Sequence, residues 1–171
     1  SIGRFTKQKN FIFYLKSIPQ ILGLNKNLYF VFIGQGDNEK LFYKIAKDLQ
    51  ILDRIIVIKN TDNVHYFMKK SKCLVLTSLW EDPGFVLVEA GYNNCQVISS
   101  NCPNGPKEII SNDGGYLFSS NNNDSLVKTI KDFMNDSSEN KLLKKITLKK
   151  RIKNFTIFQH SKVLKEILEV N

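Results

Sequence analysis

The sequence predicts an α/β fold in which a doubly wound parallel sheet of about six strands carries helices on both faces. Short apolar runs of strand length alternate along the chain with segments in which apolar residues recur at helical spacing. Several of these runs end in a polar turn that contains glycine, which is typical of the loop from a parallel strand into a helix. The 171 residues, 42% of them hydrophobic, are enough for one domain with its own core.

The predicted strands are the short apolar runs, and each is followed by a polar or glycine-containing turn. Ile2 is expected to end the first strand, because a polar loop begins directly after it at Gly3. The later strands are predicted at residues 28–33, 54–58, 73–76, 96–99 and 116–118. Asn94 precedes one of them at a turn, and asparagine tolerates left-handed backbone better than other non-glycine residues.

The predicted helices follow these turns. They are expected from residue 11, at 41–49 and 64–70, from residues 85 and 106, and at 124–133, 141–152 and 163–170. Short polar residues or glycine stand before four of them and are expected to cap the first turn: Asp37, Asp82, Gly105 and Asp124. Pro83 and Pro106 then fit the first helical position, where no N–H is needed.

The cysteines indicate the redox compartment of the protein, and the first residues suggest that the chain belongs to a longer protein. The three cysteines, Cys73, Cys95 and Cys102, are odd in number and show no C-x-x-C spacing, so neither a disulfide framework nor a zinc site is predicted. A reducing cytosol is the expected compartment. The chain begins without Met at the predicted end of a strand, so it is expected to be a piece cut from a longer protein.

The net charge of +9 is compatible with three classes of partner: nucleic acid, an anionic membrane surface and a phosphorylated small molecule. Much of the excess lies at residues 141–153. No aromatic residue interleaves these lysines and no nucleic-acid-binding signature accompanies them, so nucleic acid is not an expected partner. A solvated basic helix face is the favoured interpretation of the cluster, and weak contact with anionic lipid is the alternative.

The stretch at residues 77–91 carries the clearest signature of a binding site. It follows a predicted strand, turns through Gly84 and enters an apolar helix at Phe85. Gly84 lets a ligand approach the backbone closely, and the free N–H groups at the helix start make an anion site. Glu81 and Glu89 bracket the turn with seven residues between them, and an ionised carboxylate matches a pair of sugar hydroxyls.

Two further loops at strand ends carry candidate ligand-binding residues. Arg4 and Lys9 lie between the first predicted strand and the first predicted helix, and Gly34 directly follows the second strand. Ligands bind at this edge of parallel α/β sheets. The run that begins at Gly34 is not a dinucleotide fingerprint, because Glu39 stands where the third glycine belongs.

Three segments together resemble the donor-binding signature of a glycosyltransferase family. Glu81 and Glu89 form an E-x7-E pair, Arg4 and Lys9 match a G-R-x4-K segment, and residues 99–110 resemble the tail of the same signature. The family is the large retaining family of GT-B glycosyltransferases often called GT4, also described as glycosyl transferases group 1. The resemblance covers nearly the whole chain.

The resemblance implies a domain organisation and an activity. Residues 1–171 would be the nucleotide-sugar (donor) binding domain, Rossmann-like in fold and equivalent to the C-terminal half of a GT-B enzyme, with residues 141–171 as C-terminal helices. The N-terminal, acceptor-binding domain is expected to lie outside this chain, so the chain alone is expected to be inactive. The implied reaction is retaining transfer of a sugar from a nucleotide-diphosphate sugar to an acceptor hydroxyl, in the synthesis of surface polysaccharide, capsule or lipopolysaccharide.

The resemblance also implies a role for each matching residue of this chain. Arg4 and Lys9 would grip the donor diphosphate, Glu81 would bind the transferred sugar, and Glu89 would bind the ribose hydroxyls. Glu81, Arg4 and Lys9 are the expected catalytic group. The expected donor-binding set also includes residues of the two glycine turns: Gly34, Gly84, Phe85 and Val86.

The residues between Glu81 and Gly84 depart from the family pattern. Relatives often have Gly and Phe where this chain has Asp82 and Pro83. Pro83 has no N–H, so the turn offers a ligand one donor fewer. In the loop after Lys9, Asn10 likewise stands where glycine is usual.

No D-x-D motif supplies ligands for Mg²⁺, so the expected enzyme is metal-independent and has no cofactor. The cations of Arg4 and Lys9 would offset the charge of the departing diphosphate instead. A uridine diphosphate (UDP) sugar is the expected donor, and a glycan or lipid-linked sugar the expected acceptor. The expected location is cytoplasmic, peripheral at the inner face of the cytoplasmic membrane.

Two other functions stay open from the sequence. One is a different enzyme on the same scaffold, a sugar-nucleotide epimerase or a phosphorylase, although no lysine for pyridoxal phosphate can be located. The other is a non-enzymatic basic module that binds polyanions or a membrane, with steeply salt-dependent binding. Neither His65 nor His160 has a nearby partner in sequence that would complete a catalytic triad.

Overall fold

The computed structural model describes residues 1–169 and confirms the predicted α/β architecture. Five strands occur in that range: β1 (Phe30–Ile33), β2 (Ile55–Ile58), β3 (Cys73–Leu76), β4 (Gln96–Ser100) and β5 (Tyr116–Phe118). β1 pairs in parallel with β2, and β3, β4 and β5 pair in parallel in that order. Parallel pairing brings the carboxyl ends of the strands in each sheet to one edge.

The first two residues join the two sheets, where a sixth strand was expected. Ile2 forms a single parallel bridge with Ile33 of β1, and the N–H of Gly3 donates to the Ile33 carbonyl at 2.9 Å. On the other side, Oγ of Ser1 donates to the carbonyl of Val75 in β3 at 2.6 Å. This short segment therefore lies between β1 and β3, and the loops that follow Ile2, β1 and β3 emerge at a common edge.

Helices alternate with the strands as predicted. They are α1 (Phe11–Leu24), α2 (Glu39–Asp48), α3 (Val64–Lys70), α4 (Phe85–Tyr92), α5 (Pro106–Ile110), α6 (Asn123–Asn135), α7 (Ser138–Arg151) and α8 (Ile157–Glu169), with 3₁₀ turns at Leu52–Arg54 and Ile152–Phe155. The last helix was predicted from residue 163 and begins instead at Ile157. Its predicted end at Val170 lies outside the described residues.

Two hydrophobic cores lie on opposite faces of the strands. Successive side chains of a strand point to opposite faces. In β3, Val75 packs in a core with residues of α1, α2 and α6, whereas Leu74 and Leu76 pack in a second core with residues of α3, α4, α5 and α7. This alternation confirms that helices cover both faces.

Three of the four predicted helix caps are wrong, and two of these are the caps of α2 and α6. The residue that caps α2 is Asn38 rather than Asp37, and its side chain makes no capping hydrogen bond. The cap of α6 is Asn122 rather than Asp124, because the side-chain oxygen of Asn122 accepts a hydrogen bond from the N–H of Ser125 at 2.8 Å. Asp124 lies within the first turn, where its charge still complements the helix dipole.

A bilayer-crossing helix is absent from residues 1–169, because none of their helices combines the required length with a sufficiently apolar sequence.

Candidate functional site

Four loops meet at the carboxyl-terminal edge of the strands, at residues 3–10, 34–38, 77–84 and 101–105. Backbone hydrogen bonds join neighbouring loops: Phe5 N–H to Gln35 O (3.0 Å), Leu79 N–H to Gln8 O (2.8 Å) and Glu81 N–H to Pro103 O (3.1 Å). The loops therefore form one connected surface at the edge where parallel α/β folds bind ligands.

Lys9 and Glu81 form an ion pair within this surface. Nζ of Lys9 lies 2.7 Å from Oε1 and 2.9 Å from Oε2 of Glu81. The side chain of Glu81 is only 4% exposed and that of Lys9 is 16% exposed. The hydroxyl of Ser78 also donates to Oε1. A carboxylate this deeply buried is stable only when it is paired and hydrogen-bonded, so these contacts hold it in one position.

Buried hydroxyl groups support the pair. Oγ of Ser100 in β4 donates to the carbonyl of Ser78 at 2.7 Å, and Oγ1 of Thr77 donates to the carbonyl of Lys9 at 3.0 Å. Thr77, Ser78 and Ser100 are fully buried. Sequence patterns did not single them out, although a Thr-Ser pair directly after an apolar strand marks polar groups that need partners when buried.

α4 begins at Phe85, and its cap differs from the prediction. Asp82 was expected to cap it with Pro83 in the first turn, but Gly84 is the N-cap with φ of 89°, and no side chain makes a capping hydrogen bond. The left-handed backbone at Gly84 keeps Asp82 and Pro83 in the loop. Among the described residues, no group accepts a hydrogen bond from the N–H of Phe85 or Val86. These donors stand at the positive end of the helix.

The loop that carries Glu81 packs against Gly105. A Cβ on Gly105 would lie 1.8 Å from the carbonyl oxygen of Pro83, and φ at Gly105 is 115°. Gly105 caps α5 with Pro106 as the first helical residue, as predicted. Only glycine fits here, and this close contact fixes the loop between Glu81 and Gly84.

Arg4 and Gly34 lie side by side at the same edge. A Cβ on Gly34 would lie 2.0 Å from the carbonyl oxygen of Gly3 and 3.7 Å from the backbone nitrogen of Arg4. The side chain of Arg4 is exposed and forms no ion pair with any carboxylate among residues 1–168. Arg4 therefore presents its guanidinium donors to solvent beside the glycine turn.

Glu89 occupies the exposed face of α4, one turn after Phe85, which is 54% exposed. Within residues 1–169 its carboxylate forms no ion pair with Arg4 or Lys9. The structure thus joins Lys9 to Glu81 directly and places Glu89 on the helix that follows the Glu81 loop, without an ion pair to Lys9.

The thiols of Cys102, beside the site, and of Cys73, at the opposite end of β3, are unsuited to nucleophilic chemistry. Burial raises the pKa of Cys102, which follows β4, and the charge of Glu81 acts in the same direction. Burial raises the pKa of Cys73 to about 12. Both thiols are protonated at neutral pH, and it is the thiolate that reacts. Among the side chains that the structure describes, no three of His, Cys, Asp or Glu are placed to hold a metal ion.

Known proteins share this sequence and architecture. An α-1,4-N-acetyl-D-galactosaminyltransferase of Campylobacter jejuni, named for a diNAcBac-PP-undecaprenol substrate, is 34% identical over 159 residues. The match covers 91% of this chain and 43% of that protein. A crystal structure of a mutant of S. aureus TarM, in complex with Fondaparinux, alpha-GlcNAc-glycerol and UDP, superposes with a TM-score of 0.86 at 18% identity, over 98% of this chain and 34% of that one.

One solved structure has nearly the same extent as this chain. It is the C-terminal domain of a glycosyl transferase group 1 family protein (LpcC) from Francisella tularensis, with a TM-score of 0.77 at 18% identity. The superposition covers 91% of this chain and 85% of that one. The model of the family "Glycosyl transferases group 1" matches residues 1–153, nearly the whole chain and all four loops of the site. The chain therefore belongs to the glycosyl transferases group 1 family.

Proposed function

We propose that this chain is the donor-binding domain of a retaining glycosyltransferase that moves a sugar from a nucleotide-diphosphate sugar to an acceptor hydroxyl. The observation that carries the proposal is the buried Lys9–Glu81 pair beside the start of α4, where no side chain makes a capping hydrogen bond. Membership of the family and the UDP in the TarM structure support it. The chain spans less than half of the Campylobacter protein, so the rest of the enzyme would supply the acceptor site.

Arg4, Lys9 and the first turn of α4 would stabilise the diphosphate. Negative charge grows on a departing diphosphate, and donors already in place lower the energy of that transition state. Glu81 occupies two of the three N–H donors of the Lys9 ammonium, which leaves one for a phosphate oxygen. Arg4 contributes a full cation, and the N–H groups of Phe85 and Val86 add the helix terminus.

Glu81 and Glu89 would have different tasks. Glu81 positions Lys9, and its Oε2 accepts only one hydrogen bond among the described residues, which leaves a lone pair for a hydroxyl of the transferred sugar. Glu89 is exposed on α4 and would accept hydrogen bonds from the two ribose hydroxyls.

The charge on the leaving diphosphate would be offset without a metal ion. Fixed cations at Arg4 and Lys9 take that task in this proposal, since the sequence has no D-x-D motif. Transfer by the full-length enzyme should then proceed at an unchanged rate in excess chelator. A rate that falls with chelator and returns with Mg²⁺ would contradict this part of the proposal.

UDP is the proposed donor nucleotide, and a lipid-linked glycan is the proposed acceptor in the synthesis of a surface polysaccharide. The UDP bound by TarM supports the first part, and the undecaprenol in the name of the Campylobacter relative supports the second. Because such an acceptor is anchored in a bilayer, we propose that the enzyme works in the cytoplasm at the inner membrane face.

Thermal unfolding with added nucleotides tests the donor site directly. Ligand at a hundred times its dissociation constant stabilises a protein by about 2.7 kcal/mol, which for a domain of this size raises Tm by about 5–10 °C. UDP and UDP-sugars should produce this shift, and AMP should not. Glu89→Ala and Arg4→Ala should each abolish most of it. The matched control is Glu139→Ala on α7, and no UDP shift in the parent chain would overturn the proposal.

A further inference from the structure

The outward face of α7 carries three large apolar side chains. Leu142, Leu143 and Ile146 are 57%, 55% and 42% exposed. Residues three or four positions apart on a helix are neighbours, so the three side chains lie on one face. On the opposite side, Leu148 is 1% exposed and packs on Gly91 of α4, where a Cβ would lie 3.1 Å from its Cγ. Close packing on α4 therefore determines which face of α7 points outward.

Lysine side chains surround this apolar patch. Residues 138–153 contain seven Lys or Arg residues and one acidic residue. Some of the cations are used within the fold. Lys141 and Arg151 donate to backbone carbonyls at 3.2 Å and 2.7 Å, and Lys149 donates to Oδ1 of Asn94 at 3.4 Å, in an exposed position. Lys150 and Lys153 are exposed, and their ammonium groups form no hydrogen bond or ion pair with the side chains of residues 1–168. Their charge is available to an external partner.

We propose that the α7 face, formed by Leu142, Leu143, Ile146, Lys149 and Lys150, docks on the surface of an anionic lipid bilayer. The proposal rests on the proposed function, since a lipid-linked acceptor holds the reaction at a bilayer. Helices with this combination lie in the membrane interface, with the apolar side chains among the headgroups and the lysines attracted to anionic lipid.

The composition of the face distinguishes lipid from other partners. Protein interfaces are depleted in lysine, and single-stranded nucleic acid is bound with aromatic side chains that stack on bases. Residues 138–153 contain no aromatic residue. A solvated basic helix, the interpretation favoured from sequence, does not account for three aliphatic side chains clustered on one exposed face, because exposed apolar residues on ordinary surfaces are scattered singly. Charge complementarity with an anionic bilayer accounts for both the lysines and the aliphatic side chains.

Co-sedimentation of the 171-residue chain with vesicles tests the proposal. We expect binding to vesicles of phosphatidylcholine mixed with phosphatidylglycerol, loss of that binding at high salt, and none to phosphatidylcholine alone. The double variant Lys149→Gln, Lys150→Gln should bind about 25-fold more weakly, from about fivefold per lysine. The double variant Leu142→Ser, Ile146→Ser should bind roughly tenfold more weakly or worse, because less apolar surface is buried.

A matched control comes from α2. Lys44→Gln with Lys47→Gln removes two exposed lysines from that helix and should leave vesicle binding unchanged. Each variant should keep the UDP-induced rise in Tm, which shows that it is folded. A variant that loses vesicle binding but keeps the UDP-induced rise in Tm reports on the α7 face alone. Absence of that rise in the parent chain would instead contradict the proposed donor site.

Four results would overturn the assignment to lipid. They are equal binding to phosphatidylcholine alone, an equal loss of binding in the α2 control, equally tight binding to DNA, and self-association without vesicles that Leu142→Ser abolishes. The last would assign the face to a second copy of the chain.

Discussion

Nζ of Lys9 lies within 2.9 Å of both carboxylate oxygens of Glu81, although 72 positions of sequence separate the two residues. The loop after Ile2 and the loop after β3 meet in this contact. The pair is largely closed to solvent, at 16% and 4% exposure, so its energetics differ from those of a surface ion pair.

Replacement of Lys9 by Met should destabilise the domain strongly, because the buried carboxylate of Glu81 would lose its cation. Removing one partner of a buried pair costs about 3–5 kcal/mol, and urea unfolding should show a loss near the lower end of that range. The double variant Lys9→Met, Glu81→Gln should lose less than the sum of its single variants, because no buried charge is left unpaired.

The control for the Lys9→Met variant is Lys128→Met. Lys128 pairs with Asp132 at 2.7 Å, but the two side chains are 76% and 54% exposed. Exposed pairs of this kind contribute about 0.3–0.5 kcal/mol. Equal losses for the two lysine variants would contradict the assignment of Lys9 and Glu81 as a buried, energetically coupled pair.

Ser78→Ala should loosen Glu81 without removing its charge. The hydroxyl of Ser78 donates to Oε1 of Glu81, and a buried acceptor that loses such a donor costs about 1–3 kcal/mol. We expect that loss in urea unfolding together with a smaller UDP-induced rise in Tm. Ser71→Ala is the matched control, since Oγ of Ser71 donates to the backbone carbonyl of Phe67 at 2.7 Å in an exposed position, where water can replace it. A similar effect of both variants would speak against a special role for Ser78.

Gly105→Ala should displace the loop that carries Glu81. The new Cβ would stand 1.8 Å from the Pro83 carbonyl oxygen, at a residue whose φ is 115°. Strain of this kind costs about 1–3 kcal/mol before the clash is counted, so a large fall in Tm and a weaker UDP response are expected.

Gly23→Ala is the control for Gly105→Ala. Its Cβ would meet nothing within 4 Å in α1. Alanine is a better helix former than glycine by about 1 kcal/mol, so this variant should be neutral or more stable. If Gly105→Ala were as well tolerated as Gly23→Ala, the close contact with Pro83 would not constrain the loop.

Acid should weaken the connection between β5 and α7. The hydroxyl of Tyr116 donates to Oδ2 of Asp136 at 2.6 Å, and this bond, aided by Asn140, lowers the pKa of the Asp136 carboxyl from its ordinary 3.8. The unfolded chain then binds the proton more readily, so the stabilisation is complete above about pH 4 and is lost as the pH falls through the lowered pKa. Tyr116→Phe should lower Tm at neutral pH, and the difference from the parent should shrink below pH 3.8.

Thermal unfolding across acid pH measures this effect. Tyr43→Phe is the control, because Tyr43 is 40% exposed and its hydroxyl bonds no carboxylate among residues 1–169. The Tm of that variant should follow the parent at every pH. A Tyr116→Phe difference that stays constant from neutral pH to pH 3 would show that the bond to Asp136 does not carry the acid dependence.

Elements with clear signals at both ends were predictable from sequence. β3 (Cys73–Leu76) and α3 (Val64–Lys70) have their predicted bounds, because a polar turn limits each apolar segment. Asn94 adopts φ of 54°, as its place before β4 predicted. Helix caps were less predictable: the left-handed turn at Gly84 that excludes Asp82 from α4 depends on packing with a loop that follows β4.

The site was predictable as a location and only partly as a structure. The rule that ligands bind at the carboxyl ends of parallel strands placed Lys9 and Glu81 at one edge. Their direct ion pair, and the hydroxyl of Ser100 that supports Ser78, connect strands and loops far apart in sequence, so local patterns do not reveal them. Charge counts likewise located the basic helix α7, but the exposed apolar residues on it required the fold to be known.

The long separation between Lys9 and Glu81 also has a consequence for biosynthesis. A ribosome adds about 5–20 residues per second, so the glutamate emerges about 4–14 s after the lysine. Gly105, which secures the glutamate's loop, emerges later still. A ligand that needs both residues would therefore have no complete site until most of this domain has left the exit tunnel.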